Sequence, residues 1–396
     1  MITFKQFILE GGVAGHMAHP FDLPSINTGK NLITVFQKLA KSLATKPSVV
    51  KIDGANASIK LITNAEGNKE FAMDRGSNKP EDVQGVTITT LGNRFPQGHG
   101  MLNIGKTVLE IFNTAIPSIE KDLKKLKMWD NNKILFNMEY VQGATNVVGY
   151  EKNFLAIHGL NEVVEVKSPV RGSVSRASRE INYDKKALTD LISKVNPIAK
   201  QKGFDVEHEF IVKLGNVDFN SALNVPFSVS YDSKNIVTKP LKDWLSIAKN
   251  PRAEKIKLAS GKTISAMSME NYKNISAGTP LNFYIGNDKK AIEKAISGAV
   301  FYQATISLGQ AIKDAASSDL GSLNTQEGIV VRDKTISPNP VKITGNFILG
   351  KEQGKFAAKR QEEEENPRQM SNQNYMMNPE YGKEGARLTL TPGVQL

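Results

Sequence analysis

The sequence predicts an α+β fold, and three observations carry that prediction. Residues 30–46 place apolar side chains at helical spacing, and 286–316 form a second long helical stretch. Short β-type runs occur around 48–62 and 70–74, and 133–141 and 153–160 have the apolar character of buried strands. Residues 327–333 and 340–349 return to β character far along the chain. Sheets flanked by helices are therefore expected.

The composition favours a polyanionic partner. Lys and Arg number 51 against 40 Asp and Glu, giving a net charge of +11. Such an excess favours nucleic acid, because Lys and Arg contacts to phosphates release condensed counterions. A solvated basic surface is the alternative. The absence of cysteine excludes disulfides, thiolate metal sites and cysteine nucleophiles. No apolar run has the length needed to cross a bilayer, so no membrane association is expected.

A lysine at a strand end is the first candidate for chemistry. Lys51 ends a β-type run and is followed by Asp53 and Gly54, a hairpin-like turn signal. Gly54 would let the backbone approach a phosphate closely. A nucleophilic lysine must lose its proton, which requires burial or nearby cations. Four residues recur by chance in many proteins, so a hairpin with an exposed lysine is the alternative.

Five further segments follow this one in a fixed order. The series is KIDGANAS (51–58), AMDRGSNK (72–79), LFNMEYV (135–141), FLAIHGL (154–160), EGIVVRD (327–333) and PVKITG (340–345). In this order it resembles the motifs of the covalent lysyl-nucleotidyltransferase superfamily, which comprises ATP-dependent RNA and DNA ligases and mRNA-capping enzymes. The resemblance implies a nucleotidyltransferase core of two antiparallel sheets with flanking helices. ATP would bind in the cleft between the sheets.

The resemblance also implies roles for individual residues. Lys51 would attack the α-phosphorus of ATP and carry the AMP. Arg75 would contact the nucleotide ribose or a phosphate of the acceptor strand, and Glu139 would bind the ribose hydroxyl. Glu327 would position Mg²⁺ near the α-phosphate, and Lys342 would contact that phosphate. These residue types suit phosphoryl-type transfer, which depends on positioning and on cationic stabilisation of spread negative charge.

Three positions depart from the motifs of this superfamily. The adenine-stacking aromatic of the fourth motif corresponds to Ile157, which would offer an apolar sandwich instead. Arg332 replaces the lysine that usually ends the fifth motif, and it keeps the charge without the point-like ammonium. The final motif normally holds two lysines, and only Lys342 is present.

The long interval between the fourth and fifth motifs predicts an inserted subdomain. The expected organisation is an N-terminal segment 1–25, a core of 26–160 and 321–350, an insertion at 161–320 and a polar tail at 351–396. The insertion contains a Ser-rich basic loop, 172–179. Its Arg176 and the preceding Arg171 could bind a phosphate backbone, and a solvated loop is the alternative.

The first residues suggest a packaging signal. MITFKQFILE followed by Gly11 resembles the head-targeting peptides of internal proteins in large tailed phages, which are cut after an apolar-x-Glu site. Residues 1–10 would then be removed, and the protein would be packaged with phage head proteins and delivered into a host cytoplasm. A short amphipathic first helix is the alternative.

Together these features predict an ATP-dependent polynucleotide ligase that uses Mg²⁺ and joins a 5′-phosphate to a 3′-hydroxyl, with RNA favoured over DNA. Two alternatives stay open. One is nucleotide transfer to another acceptor, such as an RNA cap or a protein. The other is a phage head structural or DNA-binding protein with a degenerate ligase fold.

Overall fold

A computed structural model describes residues 17–143, 148–167, 174–323 and 326–344. The helices of these residues are α1 (Gly29–Thr45), α2 (Pro80–Gln84), α3 (Leu91–Arg94), α4 (Gly100–Lys125), α5 (Lys185–Gln201), α6 (Phe219–Asn224), α7 (Leu241–Ile247), α8 (Met269–Ser276), α9 (Leu281–Tyr284) and α10 (Lys289–Asp314). The strands are β1 (Val49–Lys51), β2 (Ala55–Asn56), β3 (Ile59–Thr63), β4 (Lys69–Met73), β5 (Ile134–Val141), β6 (Phe154–Lys167), β7 (Val174–Glu180), β8 (Asp205–Glu207), β9 (Lys213–Leu214), β10 (Pro226–Ser230), β11 (Ile236–Pro240), β12 (Lys255–Lys257), β13 (Thr263–Ser265), β14 (Ala316–Ser318), β15 (Gly321–Ser322), β16 (Gly328–Val331) and β17 (Val341–Thr344). The predicted α+β class is confirmed.

The chain divides into two compact units. One, which we call the central unit, comprises the described residues between Ile52 and Glu209. The other, the split unit, is built from Met17–Lys51 and from 210–344. The described residues of 161–209, which the sequence assigned to an insertion, therefore fold with the central unit, whereas 210–320 fold with the last two motifs. The segments 1–16 and 351–396 lie outside the described residues. Among the described helices, none has the length and apolarity needed to cross a membrane.

A sheet organises the central unit. Its described strands run in the order β4-β3-β5-β6-β7, with β2 added to β5 and β8 added to β6. All pairings are antiparallel except that of β6 with β8. Alternate residues of β5 point to one face, as the two-residue period of a strand requires. That face buries Phe136 against Phe71 and Phe112 and packs on α4 and α5. Full burial of an apolar side chain of this size stabilises the folded state by roughly 1.5–3 kcal/mol.

A charged cluster brings together side chains of β3 and β7 and of the segment that follows β4. Asp74 is fully buried and accepts hydrogen bonds from Lys60 Nζ at 2.8 Å and from Arg176 Nη1 at 3.1 Å. Arg176 also donates to the Ser77 carbonyl at 2.7 Å. The prediction of a basic loop over 172–179 is wrong for 174–179, because these residues form β7. Pairing along β6, in the register Glu165↔Arg176, outweighs the turn signal of the serines.

A smaller sheet, β1-β16-β17, lies in the split unit. Ile329 and Ile343 are paired across it and are fully buried. Their face packs against α1 and α10, where a side chain at Gly309 would come within 3.3 Å of Ile343. The described part of this unit also contains the hairpins β10–β11 and β12–β13 and a sheet of β15-β14-β9. The two segments predicted to be helical, 30–46 and 286–316, therefore correspond to the helices α1 and α10 that support this sheet.

An ion pair joins the end of α1 to the segment after β16. Lys46 Nζ lies 2.7 Å from Asp333 Oδ2, and Thr335 Oγ1 donates to Asp333 Oδ1 at 2.7 Å. The Lys46 ammonium and the Thr335 hydroxyl hold the pKa of the Asp333 carboxyl well below its usual range. A carboxyl whose pKa is lowered by folding stabilises the protein above its unfolded pKa, about 3.9, and loses that contribution as the pH falls through the folded pKa.

Asp333→Asn is therefore expected to lower the free energy of unfolding at pH 7. The difference from the wild type should narrow progressively below about pH 4, where the wild-type contribution is being lost. Urea unfolding of both proteins at pH 7 and pH 3 measures the difference in the free energy of unfolding at each pH. Asp319→Asn, at an exposed position of the same unit, is the control and should leave the free energy of unfolding unchanged at both pH values. An equal loss of stability in Asp333→Asn at pH 7 and pH 3 would contradict this explanation.

Candidate active site

Lys51 and Glu327 meet in the split unit, 276 residues apart in the sequence. Strand β1 pairs with β16 in the register Lys51↔Gly328, so Glu327 stands next to the partner of Lys51. Lys51 Nζ donates a hydrogen bond to Glu327 Oε2 and forms an ion pair with it. Both side chains are largely buried, with 18% and 14% of their surfaces exposed. The structure thus joins the first and fifth motifs in a single contact.

Position 328 must be a glycine because β16 and β17 approach each other too closely there for a side chain. A Cβ atom at this position would lie 2.1 Å from the Ile343 carbonyl oxygen and 3.0 Å from its carbon. The close backbone approach at Gly328 is therefore made by the neighbouring strand of the same sheet.

Gly328→Ala is expected to destabilise the protein by about 1–3 kcal/mol, because the added methyl group must displace backbone rather than a flexible side chain. Chemical denaturation measures the change. Gly92→Ala in α3 is the matched control, since a Cβ there meets nothing within 4 Å. That substitution should be neutral or slightly stabilising, because alanine has the higher helix propensity. Equal stability of the two variants would contradict the packing argument.

Lys342 lies on the same face of this sheet as Lys51. Directly paired residues of antiparallel strands point to the same side, and Lys342 is paired with Val330. Val330 is two residues from Gly328, the partner of Lys51, and so shares its face. Arg332 follows β16 and is half-buried. Lys51 and Lys342 therefore lie on one face of a three-stranded sheet, and Glu327 immediately precedes its middle strand.

Lys313 is a buried cation that the motif analysis missed. It lies in α10 with 1% of its surface exposed, and its Nζ donates to the Gln326 carbonyl at 2.5 Å. Burial lowers the pKa of Lys313 to about 8, although the charges of Glu327 and Asp314 act in the opposite direction. The residue fixes the backbone immediately before Glu327. Its sequence context, a lysine near the end of a helix, carries no signal that separates it from a solvated position.

Asp53 and Gly54 do not form the predicted hairpin. Strand β2 pairs with β5 of the central unit, whereas β1 pairs with β16, so the two runs belong to different sheets. The Asp53 N–H donates to the Tyr150 hydroxyl at 2.9 Å. A Cβ on Gly54 would lie 3.0 Å from the Tyr140 carbonyl oxygen. The glycine therefore serves close packing against β5.

Glu139 lies beside a histidine on β5 and β6. The pairing of these strands shifts between Asn137 and Met138, and His158 is the extra residue of the resulting β-bulge. His158 Nε2 lies 3.6 Å from Glu139 Oε2. That oxygen is buried and has no hydrogen-bond partner among the described residues. A hydroxyl donor from a ligand would satisfy it, which fits the expected contact with a ribose.

Ile157 does not fit its expected role. Its side chain is fully buried and belongs to the hydrophobic core of the central unit, paired with Met138. The position therefore packs against the helices instead of offering a surface to adenine. Strand alternation decides this result, because Ile157 lies on the core face with its cross-strand partner Met138, whereas Ala156 and its partner Glu139 lie on the other face.

The arginines of the central unit differ in environment. Arg176 forms two hydrogen bonds with the Asp74 carboxylate and is 10% exposed, which favours a structural role over the predicted contact with a phosphate backbone. Arg171 lies outside the described residues. Arg75 follows Asp74, and burial together with the charge of Arg94 lowers its pKa against the opposing effect of Asp82. The Nε atom of Arg75 is buried without a hydrogen-bond partner among the described residues.

Within the described part of the chain, Glu327 is the carboxylate that pairs with Lys51 and could serve as a metal ligand. No group of three His, Asp or Glu side chains with metal-binding geometry occurs within the described ranges. Mg²⁺ commonly uses one or two carboxylates, with phosphate oxygens and waters as its remaining ligands. Glu327 therefore fits Mg²⁺ that arrives with a nucleotide better than a resident metal ion.

Comparison with known proteins returned no match to a family model, a curated protein or a solved structure.

Proposed function

We propose that the chain is an ATP-dependent polynucleotide ligase that works through a lysyl-AMP intermediate on Lys51, with RNA as the preferred substrate. One observation carries the proposal. Lys51, at the end of β1, and Glu327, the residue before the adjacent strand β16, form a largely buried ion pair. Burial disfavours the charged form of the lysine, and the adjacent carboxylate can orient the amine and act as its base.

The chemistry assigns a task to each residue of the split-unit site. Lys51, as the free amine, forms an N–P bond to the α-phosphorus while the bond from that phosphorus to the bridging oxygen breaks and pyrophosphate leaves. Glu327 is in hydrogen-bond contact with the amine and can receive its proton. Lys342, on the same sheet face, would stabilise the charge on the α-phosphate. Mg²⁺, held by Glu327 and the phosphates, would neutralise the charge of the polyphosphate.

Two further transfers complete the proposed reaction. AMP passes from Lys51 to the 5′-phosphate of a strand, so the N–P bond breaks and a P–O–P bond forms. A 3′-hydroxyl then attacks the strand's phosphorus, loses its proton and expels AMP. The net charge of +11 suits a nucleic-acid substrate.

Self-adenylation tests the proposal directly. The full chain is incubated with α-labelled ATP and Mg²⁺, and the protein is then denatured and separated. We expect a covalent, acid-labile label that maps to the peptide containing Lys51. Release of the label by a 5′-phosphorylated RNA, but not by a 5′-hydroxyl RNA, would identify the acceptor.

Glu327→Gln is expected to slow self-adenylation by at least about 100-fold, or about 2.7 kcal/mol in activation free energy. The amide keeps the shape of the side chain but loses the charge that pairs with Lys51 and attracts Mg²⁺. Single-turnover labelling measures the rate. Glu270→Gln, on the exposed part of α8, is the matched control and should label at the wild-type rate. Wild-type labelling by Glu327→Gln would remove Glu327 from the mechanism.

A non-catalytic head or DNA-binding protein is the second candidate. The observation that favours it is the burial of Ile157, which leaves the expected adenine-stacking position in the core. Failure to label with any of the four nucleotides would support this candidate. Labelling by GTP, or by ATP without strand joining, would support transfer to another acceptor.

A further inference from the structure

A cluster of charged side chains in the central unit carries more positive than negative charge. Its members lie on β3, the segment 74–82, α3 and β7: Lys60, Asp74, Arg75, Asp82, Arg94 and Arg176. Four cations and two carboxylates leave a net charge of +2. Both carboxylates are fully buried. Partly desolvated positive charge is costly unless an anion compensates it.

The existing hydrogen bonds show which cations are already compensated. Asp74 accepts from Lys60 and Arg176. Asp82 accepts from Arg94 Nη2 at 3.2 Å and from the Ser77 hydroxyl. Arg75 has only the longer-range attraction of Asp82, and its buried Nε has no partner among the described residues. The uncompensated charge is therefore centred on Arg75.

His99 borders the same place. Its Nδ1 accepts from the Met101 N–H at the start of α4, which leaves Nε2 as the position that carries a proton. Its ring lies 5.2 Å from that of Phe95, over which the Arg94 guanidinium is stacked at 4.8 Å. Burial and the charges of Arg75 and Arg94 lower the pKa of His99. No residue in the first turn of α4 is acidic.

We infer that Arg75, Arg94 and His99 form an oxyanion site that binds a phosphate group of a nucleic-acid strand. Arginine suits this task because its planar fork donates two parallel hydrogen bonds to phosphate oxygens. Arg94 and His99 lie outside every motif of the sequence analysis, so the site adds two residues to the expected role of Arg75. Its assignment to the strand being sealed rests on the proposed ligase function. Anion binding itself does not.

Histidine NMR tests the anion site without any catalysis. The C2 proton of His99, assigned by its loss in His99→Gln, is titrated with pH in the presence of inorganic phosphate and of sodium chloride at equal ionic strength. We expect phosphate to raise the pKa of His99 by about 1, since a bound anion favours the imidazolium. Arg75→Met should abolish this effect, Arg75→Lys should weaken it, and the exposed Lys79→Met should leave it unchanged. The same response to phosphate and chloride in the wild type would overturn the proposal.

Oligonucleotide binding then identifies the source of the phosphate. Fluorescence anisotropy compares one RNA with a 5′-phosphate or a 5′-hydroxyl. A loss of at least about tenfold in Arg75→Met for the 5′-phosphorylated RNA alone assigns a terminal phosphate. An equal loss for both RNAs assigns a backbone phosphate, and no loss for either overturns binding to a strand. Lys51→Ala should retain the response of His99 to phosphate. If the wild-type chain binds phosphate but does not self-adenylate, the ligase function is refuted and the anion site is retained.

Discussion

Lys51→Ala is expected to abolish covalent labelling by α-labelled ATP, to less than about 0.1% of the wild-type level. The covalent bond forms on the side-chain amine, so no other group of the site can replace it. Lys51→Arg should also fail, because a guanidinium stays protonated and is not a nucleophile at neutral pH. Quantitative autoradiography after denaturing electrophoresis measures the label.

A matched lysine variant separates chemistry from folding in this experiment. Lys41→Ala, at an exposed position of α1 in the same unit, should label like the wild type. Thermal unfolding of all variants should show that Lys51→Ala remains folded. If folded Lys51→Ala still acquires the label, the adenylated residue is elsewhere and the proposed mechanism is wrong.

Asp74→Asn is expected to destabilise the protein by about 3–5 kcal/mol, the range found when one partner of a buried ion pair is removed. Asp74 is fully buried and accepts from Lys60, Arg176 and the Gly76 N–H. Its neutral isostere would leave two largely buried cations facing one another without a carboxylate. Urea-induced unfolding followed by circular dichroism measures the free energy.

An exposed aspartate provides the comparison for this result. Asp130 lies 3.6 Å from Lys69 with 87% of its side chain exposed. Asp130→Asn should therefore change the free energy of unfolding by less than about 1 kcal/mol. A loss below about 1 kcal/mol in Asp74→Asn as well would show that the cluster contributes little to stability.

The sequence identified elements from local signals. The apolar spacing of 30–46 predicted α1, the apolar run 133–141 predicted β5, and the predicted helical stretch 286–316 contains α10. These local signals could not predict which strands pair with each other. The run ending at Lys51 and the run beginning at Ala55 look like a hairpin locally, yet their partners are β16 and β5. Long-range contacts overrode the turn signal.

The site residues divide in the same way. The resemblance of the motifs predicted that Lys51 and Glu327 share one site, and the two side chains are in contact. Ile157 was misplaced because a single β-bulge decides which of two neighbouring side chains enters the core. Lys313 and His99 were missed because each owes its properties to burial, which a single side chain's sequence neighbours do not encode.

The position of β1 has a consequence for synthesis of the protein. The chain leaves the split unit after Lys51 and returns at Phe210, whose carbonyl accepts from the Val50 N–H at 2.9 Å. The ladder between β1 and β16 can form only after residues 328–331 have left the ribosome. A nascent polypeptide therefore carries Lys51 without the carboxylate of Glu327 until that residue has been added. Under the proposed mechanism, the growing chain stays unreactive towards ATP until β16 has paired with β1.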